Sequence, residues 1–225
     1  MARLEMGAPP APERGGYAQY RPWLDYWFYR FVCAYCGLHD ASHAIDHYEP
    51  QKYAPGRVDD PTNLLLGCGK CNGRGGKSDY HPLHARRTRL PHDRSGFHVV
   101  DPRSESPAAL FRVEENGQIT ARAGAQEDRA IRNIVLLKLN QHQRPARRRE
   151  LMDLADACER LVGAAARGDQ DAAVILQRLL PHLARRLLFF HLHDLPMSPV
   201  LLERAEALRH GLRSAECAFS PRERG

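Results

Sequence analysis

Two closely spaced cysteine pairs, Cys33-Ala-Tyr-Cys36 and Cys68-Gly-Lys-Cys71, constrain this chain more than any other feature. Two residues between thiols let one turn present both sulfurs to one ion, and a second such turn completes a tetrahedron. The N-terminal stretch 1–16 is rich in Pro, Gly, Ala and charge and has no apolar secretory core. A reducing, cytoplasmic setting is therefore expected, where paired cysteines read as a Zn²⁺ site rather than as disulfides. The 31 residues between the pairs exceed the about 15–20 of a simple zinc ribbon, so the insert is expected to carry structure of its own. Cys158 and Cys217 stand alone. Cys158 falls on an apolar stripe and reads as a small core residue.

The rest of the chain divides around this insert. Residues 1–16 read as disordered. Residues 21–31 place Leu24, Trp27, Phe28 and Phe31 at helical spacing, which suits a short helix packed on the cysteine module better than a base-stacking platform. Residues 44–48 and 63–67 are short apolar runs separated by Pro55, Gly56, Asp59, Asp60 and Pro61, two candidate strands around a loop. Residues 70–76 start a helix that Gly73, Gly75 and Gly76 keep short. Runs at 97–100 and 110–113, followed by Asn116-Gly117 and Ile119, predict a small hairpin annex.

From residue 127 the pattern becomes helical. Pro145 interrupts it, and Leu151, Leu154, Ala155, Cys158, Leu161 and Val162 then form one apolar stripe. Gly168 ends that helix, Asp169 caps the next, Pro181 is expected to kink or split it, and Ser198-Pro199 opens a last helix to about residue 213. The fold class is therefore α+β. Its expected parts are a tail at 1–16, a cysteine-stapled module at 17–100, a β annex at 101–125, a helical docking region at 126–214 and a flexible tail at 215–225. The longest apolar runs, such as 187–190, fall far short of the about 20 residues that a membrane span needs, so no membrane association is expected.

Charge is concentrated. Between residues 70 and 94 lie seven basic residues, Lys70, Arg74, Lys77, Arg86, Arg87, Arg89 and Arg94, against Asp79 and Asp93, so this stretch carries +5 of the chain's +6. Such a patch suits a polyphosphate partner, because neutralising phosphates releases counterions. Lys70, Arg74, Lys77, Arg86, Arg87 and Arg89 are the candidate nucleic-acid contacts. A solvated basic loop is the plain alternative.

Between the cysteine pairs stand Asp46-His47-Tyr48-Glu49-Pro50, then Asn63-Leu64, with Asn72 directly after Cys71 and Lys77 beyond. This order resembles the HNH (His-Me finger, ββα-metal) endonuclease family in the form with a flanking four-cysteine zinc. The resemblance covers about residues 21–82. The position after the last cysteine is often His in that family and is Asn72 here, as in the HNH domain of large RNA-guided effector nucleases.

The resemblance implies a zinc-stapled ββα-metal core, phosphodiester hydrolysis, and products with 5′-phosphate and 3′-hydroxyl ends. It implies catalytic roles for Asp46, His47, Asn63 and Asn72. A neutral imidazole suits proton removal from water at neutral pH, which makes His47 the candidate base. Asp46, its neighbour on the strand, faces the other side and with Asn72 supplies hard oxygen ligands, favouring Mg²⁺ or Mn²⁺. Asn63 is expected to fix the loop that orients His47. Cys33, Cys36, Cys68 and Cys71 would close the shell of a structural Zn²⁺, leaving it no open position for catalysis.

The stretch from Lys77-Ser78-Asp79-Tyr80-His81-Pro82-Leu83 to Ile134, Leu137, Leu139 and Asn140 is more loosely similar to HNH subunits of bacterial anti-phage systems of the Septu type and its retron-associated relatives. That implies an antiviral defence role and an ABC-type ATPase partner, with a homo-oligomer as the alternative assembly. DNA is the expected substrate. The competing function is a catalytically silent zinc module that binds nucleic acid or a partner. The presence of both Asp46 and His47 argues against it.

Overall fold

The computed structural model describes residues 8–11, 16–28, 32–38, 43–73, 76–77 and 99–218. The insert between the cysteine pairs forms an antiparallel pair, β1 (His43–His47) and β2 (Leu64–Cys68), followed by the one-turn helix α2 (Gly69–Asn72). Register pairs Asp46 with Leu65, His47 with Leu64, and Ala44 with Gly67. Alternation along a strand therefore puts Asp46 and His47 on opposite faces. β2 is buried throughout, as its unbroken apolar run requires. Two single 3₁₀ turns, Pro55–Arg57 and Pro61–Asn63, build the connecting loop. Each opens on a proline whose fixed φ suits a first helical position.

N-terminal to this unit, a 3₁₀ turn at Gly16–Tyr20 runs into α1 (Arg21–Phe28), which buries Leu24 just after the buried Tyr20. α1 packs on β2 and on the last helix of the chain. The annex consists of α3 (Pro107–Leu110) and a hairpin, β3 (Phe111–Val113) with β4 (Ile119–Ala121). Val99 and Val100 are buried but lie outside any strand. Val100 donates its N–H to Asn133 Oδ1 at 2.9 Å. A further side-chain bridge comes from Asn140, which bonds the Ile119 N–H and carbonyl at 2.7 Å each.

The helical region comprises α4 (Glu127–Leu136), α5 (Arg144–Ala166), α6 (Gln170–Ala184), α7 (Leu187–His193) and α8 (Pro199–Ala218). Asp169 caps α6 through Ala172 N–H, and Ser198 Oγ accepts from Leu201 N–H at the start of α8. Two expectations are corrected. Pro145 does not interrupt a helix: it stands in the first turn of α5, where its missing N–H costs nothing. Pro181 leaves α6 whole to Ala184, and the break falls instead at Arg185 and Arg186. One cluster of buried residues runs from Tyr20 and the cysteines through Phe111 and Leu137 to Leu201 and Ala205, so the helices share their core with the cysteine-bearing segment. Among the described residues no helix is long and apolar enough to cross a membrane.

Candidate functional site

The two cysteine turns meet. The ligand atoms of Cys33, Cys36, Cys68 and Cys71 all lie within 4.8 Å of one another, and all four residues are buried. A tetrahedral zinc–thiolate shell with bonds of about 2.3 Å sets sulfurs about 3.8 Å apart, so these four are positioned to bind one metal ion. The first turn closes through Gly37 N–H to Cys33 O, 2.9 Å, and Cys33 N–H to Leu38 O, 3.1 Å. Gly37 has φ +67°, and a Cβ there would meet Phe189 Cα at 3.0 Å. Only glycine both adopts this turn and lets α7 approach it.

Four thiols this close cannot all ionise unaided. Burial pushes Cys33 and Cys71 up, while hydrogen bonds from Cys33, Cys36 and Cys71 pull Cys68 down. A divalent cation at their centre removes the conflict.

His47, 8% exposed, is fixed on three sides. Its Nε2 lies 2.9 Å from the Val58 carbonyl. A carbonyl only accepts, so Nε2 carries the proton and Nδ1 holds the lone pair of the neutral ring. Gln51 Nε2 lies over the edge of the ring, 3.2 Å from Nδ1 and 3.3 Å from Nε2, and Tyr17 packs edge-on with ring centroids 4.7 Å apart. Gln51 is exposed, so a surface side chain covers this edge of the ring.

Asn63, 1% exposed, ties the loop that carries Val58. Its Oδ1 accepts from Glu49 N–H at 2.8 Å, and its Nδ2 donates to Glu49 O at 3.1 Å and Arg57 O at 3.2 Å. Its own carbonyl accepts from Tyr48 N–H at 2.8 Å. Arg57 adds ion pairs to Glu49 and, at 2.8 Å, to Asp60.

Asp46, 4% exposed, is held on the opposite face. Tyr35 donates its hydroxyl to Oδ2. Burial first, and the Asp46 charge second, push the Tyr35 phenol well above its ordinary value, so it stays a donor. Lys77 Nζ lies 3.1 Å from Asp46 and 2.8 Å from His47 O. Lys77 is 1% exposed. This departs from the expectation that it contacts phosphate: its ammonium is spent inside, on Asp46.

Asn72 is half-buried at the end of α2, beside Asp46. Between them sits Gly67, where an added Cβ would meet Asn72 Cβ at 3.0 Å and Asp46 Cβ at 3.4 Å. The missing side chain thus leaves a narrow cradle lined by Asp46 Cβ and by Asn72 Cβ and Cγ, which brings a carboxylate-bearing and an amide-bearing residue side by side. Each carboxylate oxygen keeps a second lone pair beyond its present bond. A hard divalent cation fits such a donor set.

The structure therefore brings Asp46, Asn72 and Lys77 together on one face of the β pair, and His47 with Asn63 on the other. Lys70 is half-buried and lines a concavity with Gln143, Arg144 and Arg147 beside Cys36 and Cys68. Arg74, Arg86, Arg87 and Arg89 lie outside the described residues. Tyr35, Gln51 and Gly67 escape sequence reasoning. An isolated glycine inside a strand signals close approach of other groups, and Gly67 carries that signal.

Residues 33–78 match the family model of HNH endonuclease. No curated protein and no solved structure matches the chain. The match spans both cysteine turns, β1, β2 and α2, and ends one residue past Lys77. This cysteine-stapled segment of the chain is thus similar to the HNH endonuclease family.

Proposed function

We propose that the chain is a metal-dependent endonuclease that hydrolyses phosphodiester bonds of nucleic acid, DNA foremost, with Zn²⁺ as a structural ion at the four cysteines. The observation that carries this reading is the His47 ring. With its Nε2 proton committed to the Val58 carbonyl, Nδ1 carries the lone pair, and displacement of exposed Gln51 would open it to a water. Asn63 has a positioning role, since it holds the loop whose Val58 carbonyl sets the tautomer.

Asp46 and Asn72 would hold Mg²⁺ or Mn²⁺ in the Gly67 cradle. When bound, that ion supplies charge stabilisation to the phosphate and leaving oxygen. Tyr35 and Lys77 fix the Asp46 carboxylate in rotation. Lys70, with Arg74, Arg86, Arg87 and Arg89, supplies the phosphate-facing charge. An anti-phage complex with an ABC-type ATPase is the proposed setting, supported by the sequence resemblance after Lys77 and tested by co-purification with neighbouring gene products.

The test of the activity is incubation of the purified, zinc-loaded chain with plasmid DNA and, separately, tRNA in Mg²⁺ or Mn²⁺. Cleavage should fall about 10²–10⁴-fold in His47→Ala with circular dichroism and zinc content unchanged. Equal cleavage by the variant would remove His47 as the base.

A further inference from the structure

We infer that Arg144 and Arg148 are the counter-charges of the metal–thiolate centre, so that filling the four-cysteine site and seating the start of α5 on the HNH segment are one coupled event. α5 opens with these two arginines one helical turn apart. Arg144 is 4% exposed and Arg148 0% exposed. Like charges at this spacing repel, and a buried charge is tolerated only when paired. No carboxylate among the described residues pairs with either. The nearby ion pair of Arg149 with Asp153 lies on the exposed side of the helix.

What Arg144 touches instead is sulfur. Its Nη2 lies 3.2 Å from Cys68 Sγ and 3.2 Å from Cys71 Sγ, and its Nη1 donates to Leu137 O at 2.7 Å and Lys138 O at 2.9 Å. Arg148 donates to Gly117 O at 3.0 Å and to Leu139 O. Carbonyls engage both guanidinium groups but supply no net charge. A divalent ion with four thiolates carries −2, and the two guanidinium groups carry +2. The metal-filled centre is the countercharge that the interior otherwise lacks.

The same bonds explain the turn between α4 and α5. Lys138 and His142 both adopt the left-handed region, φ 53° and 57°, which side-chain-bearing residues avoid. Three carbonyls of this turn, Leu137, Lys138 and Leu139, are the arginines' acceptors. Cys71 Sγ also approaches Leu137 O at 3.4 Å. The turn is thus held by two arginines, of which Arg144 is itself held by the cysteine sulfurs and Arg148 stands one helical turn behind it, on carbonyls alone. Loss of the ion removes the dianionic centre and with it the reason for both guanidinium groups to stay inside.

The experiment uses the full chain loaded with Zn²⁺ and needs no cleavage assay, so its outcome is separate from that of the nuclease reading. Zinc affinity is measured by competition with a chromophoric chelator for wild type, Arg144→Met, Arg148→Met, Arg144→Lys and, as a control on the exposed side of α5, Arg160→Met. Outer-shell partners of a metal site are typically worth about 10–100-fold in metal affinity. The two Met variants at 144 and 148 should lose about that much, Arg160→Met should stay within about twofold of wild type, and Arg144→Lys, which keeps the charge, should recover most of the loss.

In parallel, amide hydrogen exchange of the wild-type chain is followed as the ion is stripped. Protection across residues 137–148 should fall with zinc occupancy. Folded Arg144→Met with wild-type zinc affinity would overturn the inference. So would protection at 137–148 that survives complete removal of zinc, a readout that stands even if the variants do not fold.

Discussion

Replacing Asp46 by asparagine barely changes the side-chain volume but leaves the Lys77 ammonium, 1% exposed, without an anion 3.1 Å away. Breaking a buried pair by removing one partner costs about 3–5 kcal/mol, because the remaining charge is uncompensated. The amide of Asp46→Asn can still accept one hydrogen bond, from Tyr35 or from Lys77, so the lower end, about 3 kcal/mol, is expected. Lys77→Met should cost a similar amount. It strands a carboxylate whose remaining partner is the Tyr35 hydroxyl. Replacing both partners, as Asp46→Leu with Lys77→Met, removes both desolvated charges, so the double variant should be more stable than the sum of its singles by at least about 2 kcal/mol. For a chain of this size about 1 kcal/mol moves Tm by about 2–4 °C, so each single variant should melt roughly 6–12 °C lower. The assay is thermal and urea unfolding with zinc held at one saturating concentration, so that mass action is constant. Single variants that melt within about 2 °C of wild type, or costs that simply add, would refute the buried-pair reasoning.

Other expectations follow from separate parts of the site. Gly67→Ala places a methyl 3.0 Å from Asn72 Cβ. An overpacking cost of about 1–3 kcal/mol is expected, together with a higher Mg²⁺ requirement for cleavage, read from metal titrations of rate. Cys68→Ser should lose the bound zinc and cooperative unfolding together, checked by metal analysis and calorimetry. His193 is buried, and among the described residues neither ring nitrogen has a side-chain hydrogen-bond partner. Burial, then the Arg148 charge, push its ring down to about 3, while the nearby Cys36 backbone pulls the other way. The unfolded ring titrates near about 6.5, so on acidification the unfolded chain takes the proton first. This contribution to stability is therefore complete above about pH 6.5 and is lost as pH falls toward about 3, by at most about 1.4 kcal/mol per pH unit. His193→Phe should lack that component, visible as a shallower loss of urea midpoint between about pH 6.5 and 4.

The two cysteine turns, the strand–loop–strand insert and the short helix after Cys68 are legible in the sequence because spacing alone dictates them. The interior charges are not. Lys77 reads as one more cation in a basic run, yet its partner Asp46 is 31 residues away, and only the β1–β2 pairing brings the two together. Read from its apolar members alone, the stripe on α5 begins at Leu151. In the structure the buried positions are Arg144, Arg148, Leu151, Ala155 and Cys158, the same helical face continued about two turns toward the N-terminus by two arginines. Hydrophobic periodicity is blind to a charged residue that is buried because a thiolate cluster waits for it. Likewise, Tyr35 reads as filler between two cysteines.

The four-cysteine staple does more than close a small fold. Tyr35 lies inside the first cysteine turn and donates to Asp46. Lys77 follows the second: its backbone N–H bonds Cys71 O at 2.6 Å, and its ammonium pairs with the same carboxylate. Each cysteine turn thus delivers one of the two side chains that grip Asp46. The β pair delivers the carboxylate itself, with Gly67 leaving room for Asn72 beside it. A carboxylate held at both oxygens by groups anchored to the two cysteine turns has little rotational freedom left to lose, and in the proposed role as cation ligand that preorganisation would favour affinity and correct geometry. His47, on the other face, takes its orientation from a separate source, the Asn63-tied loop and the Val58 carbonyl. His47 and Asp46, the proposed base and the proposed cation ligand, are therefore adjacent in sequence but independently positioned. Damage to the cysteine centre should reach Asp46 first, and damage to Asn63 should reach His47 first.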